Sequence, residues 1–200
     1  AIDTDTDEIL SRMAETGCQG IELGARFFSL EKSEYLKSLL DKHGLMLAGL
    51  HTVIPLVQLM DAPEESLSTL EQAAKTLNGM PHRNIIMSGT IENRDSVEES
   101  DSRLTDAVQV AKLVQTIDDM AKKLKTEYDV QLHYHNHTWE FANEALIYMT
   151  LLQKTKYLHM GLDTGWAILS GYDPVKLMGE YPEHFSYIHL RDYRKDAIAE

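Results

Sequence analysis

The sequence predicts an α/β fold: a (β/α)8 TIM barrel that is incomplete in this chain, with its first and last strands missing. Three observations carry that prediction. Six short apolar strands alternate with helical stretches, the pattern of parallel β/α units. Unusual polar residues stand at the C-terminal end of strand after strand: Glu22, His51, His135 with His137, Asp163, and His189 with Asp192. In a barrel those ends converge on one mouth, where active sites are built. A doubly wound sheet would gather them at a switch point, usually beside a glycine-rich phosphate loop. Neither GxGxxG nor GxxxxGK[ST] occurs. Eight strands normally take about 250 residues, so six in 200 residues leave one strand absent at each end.

The elements follow in order. Asp5-x-x-Glu8 reads as a capping box for a helix carrying Ile9, Leu10 and Met13, which Gly17 stops. Ile21–Leu23 is the first strand. A second helix bears Tyr35, Leu36, Leu39 and Leu40 and ends at His43-Gly44; LMLAGLH is the second strand. The apolar stretch HTVIPLVQLM after it is expected to be a loop, either a lid or packed on the helices. Asp61-x-x-Glu64 caps a third helix that Asn78-Gly79 ends, and NIIMSG is the third strand. A long helix is predicted over 101–127, with Val110, Leu113, Val114, Ile117, Met120 and Leu124 on one face. VQLHYHNH is the fourth strand, 142–153 a helix, YLHMGLD the fifth strand, Asp173-Pro174 a helix start and FSYIHLRD the sixth strand. No linker or change of composition divides the chain, so residues 1–200 are read as a single domain.

Composition narrows the function. A net charge of −13 repels phosphate backbones, which argues against nucleic acid and suits a small neutral substrate or one whose charge a metal meets. No run approaches the ~20 apolar residues of a membrane span, and no signal peptide is visible. Cys18 is the one cysteine, so no intramolecular disulfide framework exists and a reducing cytoplasm is the expected location. The oligomeric state is left open, a homo-oligomer included.

The chemistry is expected at the mouth. In QLHYHNH, His133, His135 and His137 share one side of a strand, and Tyr134 and Asn136 share the other. Alternate imidazoles suit a strand-borne metal site, although His133, deepest in the strand, reads as structural. Asp163 is either a helix N-cap or a ligand. His189 faces the same side as Arg191, which would reach a substrate oxygen or pair with Asp192. Glu22 and His51 stand at the ends of the first two strands as ligands or substrate contacts. Mixed His and carboxylate ligands suit Mn²⁺, Zn²⁺, Co²⁺, Fe²⁺ or Mg²⁺.

GxxGIELG, AGLH, YHNHxWEF, GLDTGWA and IHLRD, in this order, resemble the xylose isomerase-like TIM-barrel superfamily, the sugar phosphate isomerases/epimerases. The resemblance covers essentially the whole chain. It implies one divalent metal ion held by a glutamate, an aspartate, a histidine and a final glutamate or glutamine. Asp163 and His189 match the middle two. Many relatives read ENH where this chain has His135-Asn136-His137, so His135 takes the glutamate's place and competes with Glu140 for that ligand position. His137 matches a substrate-contacting histidine, and the last ligand would lie beyond Glu200. The implied substrate is a small sugar or cyclitol, with Glu22, His51, Trp166 and Arg191 beside it. The implied reaction is proton transfer next to a carbonyl through a metal-stabilised enediolate, with Glu140 and His137 catalytic. Isomerisation or epimerisation leads. A lyase of the inosose dehydratase or 3-keto-sugar type uses the same site, and a non-catalytic sugar- or metal-binding barrel is the reading of a different class.

Overall fold

A computed structural model describes residues 2–28 and 30–192, with side chains from Thr6 onward. Its strands are β1 (Gly20–Gly24), β2 (Met46–Pro55), β3 (Asn84–Thr90), β4 (Gln131–His135), β5 (His159–Asp163) and β6 (Phe185–His189). They form one sheet in strict sequential order, every neighbouring pair parallel. A doubly wound sheet would reverse its order at a switch point. This sheet never does, and it curls until the ends of its two outer strands meet: Glu22 on β1 hydrogen-bonds His189 on β6 without any ladder between those strands. The architecture is an incomplete TIM barrel, with six of the eight strands among the described residues.

Helices α1 (Ile2–Glu15), α2 (Ser33–His43), α3 (Leu56–Asp61), α4 (Pro63–Thr76), α5 (Val97–Ser100), α6 (Ala107–Tyr128), α7 (Ala142–Lys154), α8 (Thr164–Leu169) and α9 (Pro174–Glu180) fill the connections. The core is the layer between helices and sheet. Leu36, Leu39 and Leu40 of α2, Leu70 and Ala74 of α4, and Val110, Val114, Ile117 and Leu124 of α6 bury the apolar stripes that their 3.6-residue spacing announced. Each large aliphatic side chain so buried contributes about 1.5–3 kcal/mol. The barrel interior holds glycine beside large side chains: a Cβ on Gly49 would overlap Ile86 Cδ1.

Several local expectations are corrected. Helix α1 already runs at Ile2, so Asp5 lies inside it and is no N-cap. Asp61 ends α3, while Ala62 precedes α4 and Pro63 opens it; the Asp61 carboxylate pairs with Arg103 instead. The stretch HTVIPLVQLM is neither lid nor loop, because β2 continues to Pro55 and α3 follows at once. The helix expected over 101–127 starts later: Ser102–Thr105 is a 3₁₀ turn, and Asp106, accepting from Val108 N and Gln109 N, caps α6. Strand β4 stops at His135, leaving His137 in the turn beyond. The first turn of α7 is left-handed at Asn143, Glu144 and Ala145 (φ 52, 59 and 60°).

Candidate active site

The strand ends bring most of the predicted residues together, and the ladder explains how. Ser88 on β3 pairs with His135 on β4, and Asp163 on β5 pairs with His189 on β6. Residues at matching heights on neighbouring strands thus point into the same interior layer. Beyond the ladder, side chains continue the lacing. Asn136 accepts from Asp163 N (3.0 Å) and donates to Asp163 O (3.2 Å), copying a strand bond between the ends of β4 and β5. Thr164 Oγ1 accepts from Arg191 N (3.0 Å) and ties β5 to β6.

Two overlapping groups of metal-competent atoms result, each with its ligand atoms within 4.8 Å of one another: His135, Asp163 and His189, and Glu22, His51 and His189. In the first group His135 and Asp163 are buried and each keeps one unsatisfied atom, while His189 is half-buried. His135 Nδ1 and Asp163 Oδ2 have no hydrogen-bond partner, although Arg191 Nη2 stands 3.2 Å from Oδ2, at ion-pair distance but out of line for a hydrogen bond. Asp163 Oδ1 accepts from Trp166 N (3.0 Å), so the residue both caps α8 and keeps one oxygen for the interior. Buried polar atoms are normally paired, and two orphans beside a third donor suit a cation. The donor set, two imidazoles and a carboxylate, fits Mn²⁺, Zn²⁺, Co²⁺, Fe²⁺ or Mg²⁺ without selecting among them.

The second group is already satisfied internally. His51 Nδ1 donates to Glu22 Oε1 (2.7 Å), His189 Nε2 donates to Glu22 Oε2 (2.7 Å), and His51 Nε2 accepts from Ser88 Oγ (2.6 Å). Burial opposes the Glu22 charge, but the hydrogen bonds from His189 and His51 outweigh it and hold the carboxyl well below its ordinary range. The same Glu22 bond raises the basicity of His189. Burial and the neighbouring His189 push His135 down to about 2, so it is a neutral imidazole with one nitrogen lone pair to offer. A cavity of ≈ 900 Å³ opens beside Glu22 and His51, bounded by Phe27 and by Gln72 of α4.

Residues 10–199 match the family model described as xylose isomerase-like TIM barrel. The chain belongs to that family. Within it, the chain is 32% identical over 200 residues to an inosose dehydratase of Geobacillus kaustophilus, covering 96% of this chain and 63% of that protein. It is 26% identical over 201 residues to the rhizopine catabolism protein MocC of Rhizobium meliloti, covering 98% and 60%. A crystal structure of a sugar phosphate isomerase/epimerase from Parabacteroides distasonis superposes with a TM-score of 0.73 at 16% identity, over 94% of this chain and 73% of that one, which shows the shared barrel. The chain spans less than two thirds of the length of these curated relatives.

His137 stacks on Trp139 (4.3 Å, 15°) and leans on Trp166 (5.8 Å); its Nδ1 is buried without a partner, and burial lowers its pKa to about 4. Arg191 lies over the Trp166 ring (5.1 Å) and faces Asp163. His133, deep in β4, contacts Asn84 Oδ1 at 3.2 Å. Glu140 stands outside both groups of close ligand atoms: it accepts from Tyr134 Oη (2.9 Å) and from His137 N (2.7 Å). Ser88, which donates to His51, and Tyr187, whose hydroxyl hydrogen-bonds Glu22, were missed. Ser88, the next-to-last residue of NIIMSG, pairs with His135 in the ladder, the same kind of polar residue near a strand end that found the histidines.

Proposed function

We propose that this barrel is a metal-dependent enzyme that moves a proton beside the carbonyl of a small sugar or cyclitol, with loss of a β-hydroxyl as water as its outcome. The observation that carries the site is the His135, Asp163 and His189 group, in which His135 Nδ1 and Asp163 Oδ2 are buried without a hydrogen bond. The 32% identity to an inosose dehydratase along nearly the whole chain favours elimination over the isomerisation that the motifs alone put first.

His135, Asp163 and His189 would hold the cation, which supplies Lewis-acid polarisation of substrate oxygens when bound. His137, with its pKa lowered to about 4, is neutral near pH 7 and has a lone pair with which to accept a proton. Trp166 and Trp139 flank that imidazole and offer flat apolar faces to a ring. Arg191, held over Trp166, reaches toward a substrate oxygen from β6. Glu22, kept ionised by two imidazoles, accepts hydrogen bonds from substrate hydroxyls on the opposite side of the mouth.

Incubation with keto-inositols and ketoses in D₂O, read by mass spectrometry, separates the outcomes. Elimination lowers the product mass by one water. Deuterium incorporation at unchanged composition would instead mark isomerisation or epimerisation. Turnover that survives Asp163→Ala or His189→Ala would remove this group from the reaction.

A further inference from the structure

The geometry points to Glu140 as a positioning residue that holds the His135–His137 turn from behind the sheet, neither binding a cation nor carrying the substrate's proton. The inference deepens the proposed function, resting on it only where His137 is taken to face the substrate.

Alternation decides which side Glu140 occupies. His133 and His135 point into the barrel, so Tyr134 between them points outward, into the layer under the helices. Tyr134 is wholly buried there, and its hydroxyl donates to Glu140 Oε1 at 2.9 Å. Glu140 is itself 0% exposed. Phe141 and Tyr148, stacked at 4.3 Å, pack in the same layer. Gly89 makes the arrangement fit: a Cβ there would overlap the Tyr134 hydroxyl. The carboxylate thus lies behind β4, while the cation-competent atoms lie in front of it.

Its second oxygen explains why a carboxylate is kept in an apolar layer. Oε2 accepts from His137 N at 2.7 Å, an amide that lies past the end of β4 and has no ladder partner. Asn136, one residue earlier, is fixed to both backbone groups of Asp163. The turn is therefore pinned at successive residues, forward to β5 by Asn136 and backward to the core by Glu140. Those two anchors set His137 against Trp139 and Trp166. Misplacing a catalytic group by about 1 Å costs on the order of 10²-fold in rate.

Charge and shape separate in two variants. Glu140→Gln keeps the length and an acceptor for His137 N, whereas Glu140→Asp keeps the charge but is one methylene too short to span both partners. Hydrogen exchange at the His137 amide, Mn²⁺ affinity by titration, and kcat/KM are measured for each. Glu140→Gln should retain a protected amide and stay within about threefold of the parent in affinity and kcat/KM. Glu140→Asp should expose the amide and lose about 30-fold or more in kcat/KM with its Mn²⁺ affinity intact. The reverse order, Asp active and Gln inactive or unable to bind Mn²⁺, would overturn the assignment, as would an amide equally protected in both. If the parent itself neither binds Mn²⁺ nor turns over, the functional reading fails, and the amide measurement still decides the positioning role.

Discussion

Asp163 shows how one residue serves two readings of the sequence. Its Oδ1 caps α8 at Trp166 N, and its Oδ2 faces the interior without a hydrogen bond. Cap and ligand were alternatives at the sequence level; the structure gives the cap one oxygen and leaves the other without a hydrogen bond. Asn caps helices about as well as Asp but lacks the anionic donor. Asp163→Asn is therefore expected to melt within a few degrees of the parent while losing at least ~100-fold in affinity for Mn²⁺ or Zn²⁺, measured by titration. Equal affinity in the two proteins would leave Asp163 a cap alone. Burying His135 Nδ1 unpaired costs about 1–3 kcal/mol, a cost a bound ion would relieve.

The elements deliver these residues because their own ends are tied down. Asp118, buried on α6, accepts from three consecutive amides, Lys156 N (3.0 Å), Tyr157 N (2.7 Å) and Leu158 N (2.9 Å), where the chain enters β5. That strand carries Asp163 at its far end. Asp118→Ala leaves three amides without their acceptor and should lower stability by about 3 kcal/mol or more in urea titration. Asp118→Asn, which keeps an acceptor oxygen, should cost clearly less; equal losses would contradict the role. Such ties mark the limit of what the sequence discloses. Strand order, the stripes of α2, α4 and α6, and the strand-end positions of Asp163 and His189 follow from local periodicity, so they were legible, whereas β2 runs four residues past His51. Asp61 was read as a cap because Glu64 follows it at capping-box spacing, yet its partner is Arg103, 42 residues away. Glu140 was weighed as a ligand because three residues separate it from His137. Only the placement of Tyr134 behind β4 shows which way its carboxylate faces.

At the scale of the whole molecule, the buried titratable groups set opposing pH dependences. His133, His135 and His137 have pKa values lowered by burial to about 4, 2 and 4. Each is neutral in the folded barrel and charges more readily in the unfolded chain, so each removes stability as pH falls below its unfolded value of 6.5. Glu22, held low by His189 and His51 despite its burial, acts in the same direction: its contribution is present above 4.5 and is lost on further acidification. Glu140 opposes them. Burial raises it from 4.5 to about 7, so its penalty grows as pH rises between those values and is constant above them. His189, raised by Glu22, also contributes most at low pH and less as pH rises through its folded value. Three histidines outweigh one carboxyl. Discounting His137 for its partial exposure and subtracting Glu140 and His189, the fold should be less stable at pH 5 than at pH 7.5, by on the order of 1 kcal/mol or more. Urea titrations at the two pH values measure that difference directly. Glu140→Gln adds an internal control: with the carboxylate's penalty removed, it should stabilise the protein at pH 7.5 and much less at pH 5. A gain of equal size at both would show that the buried carboxyl does not titrate in this range.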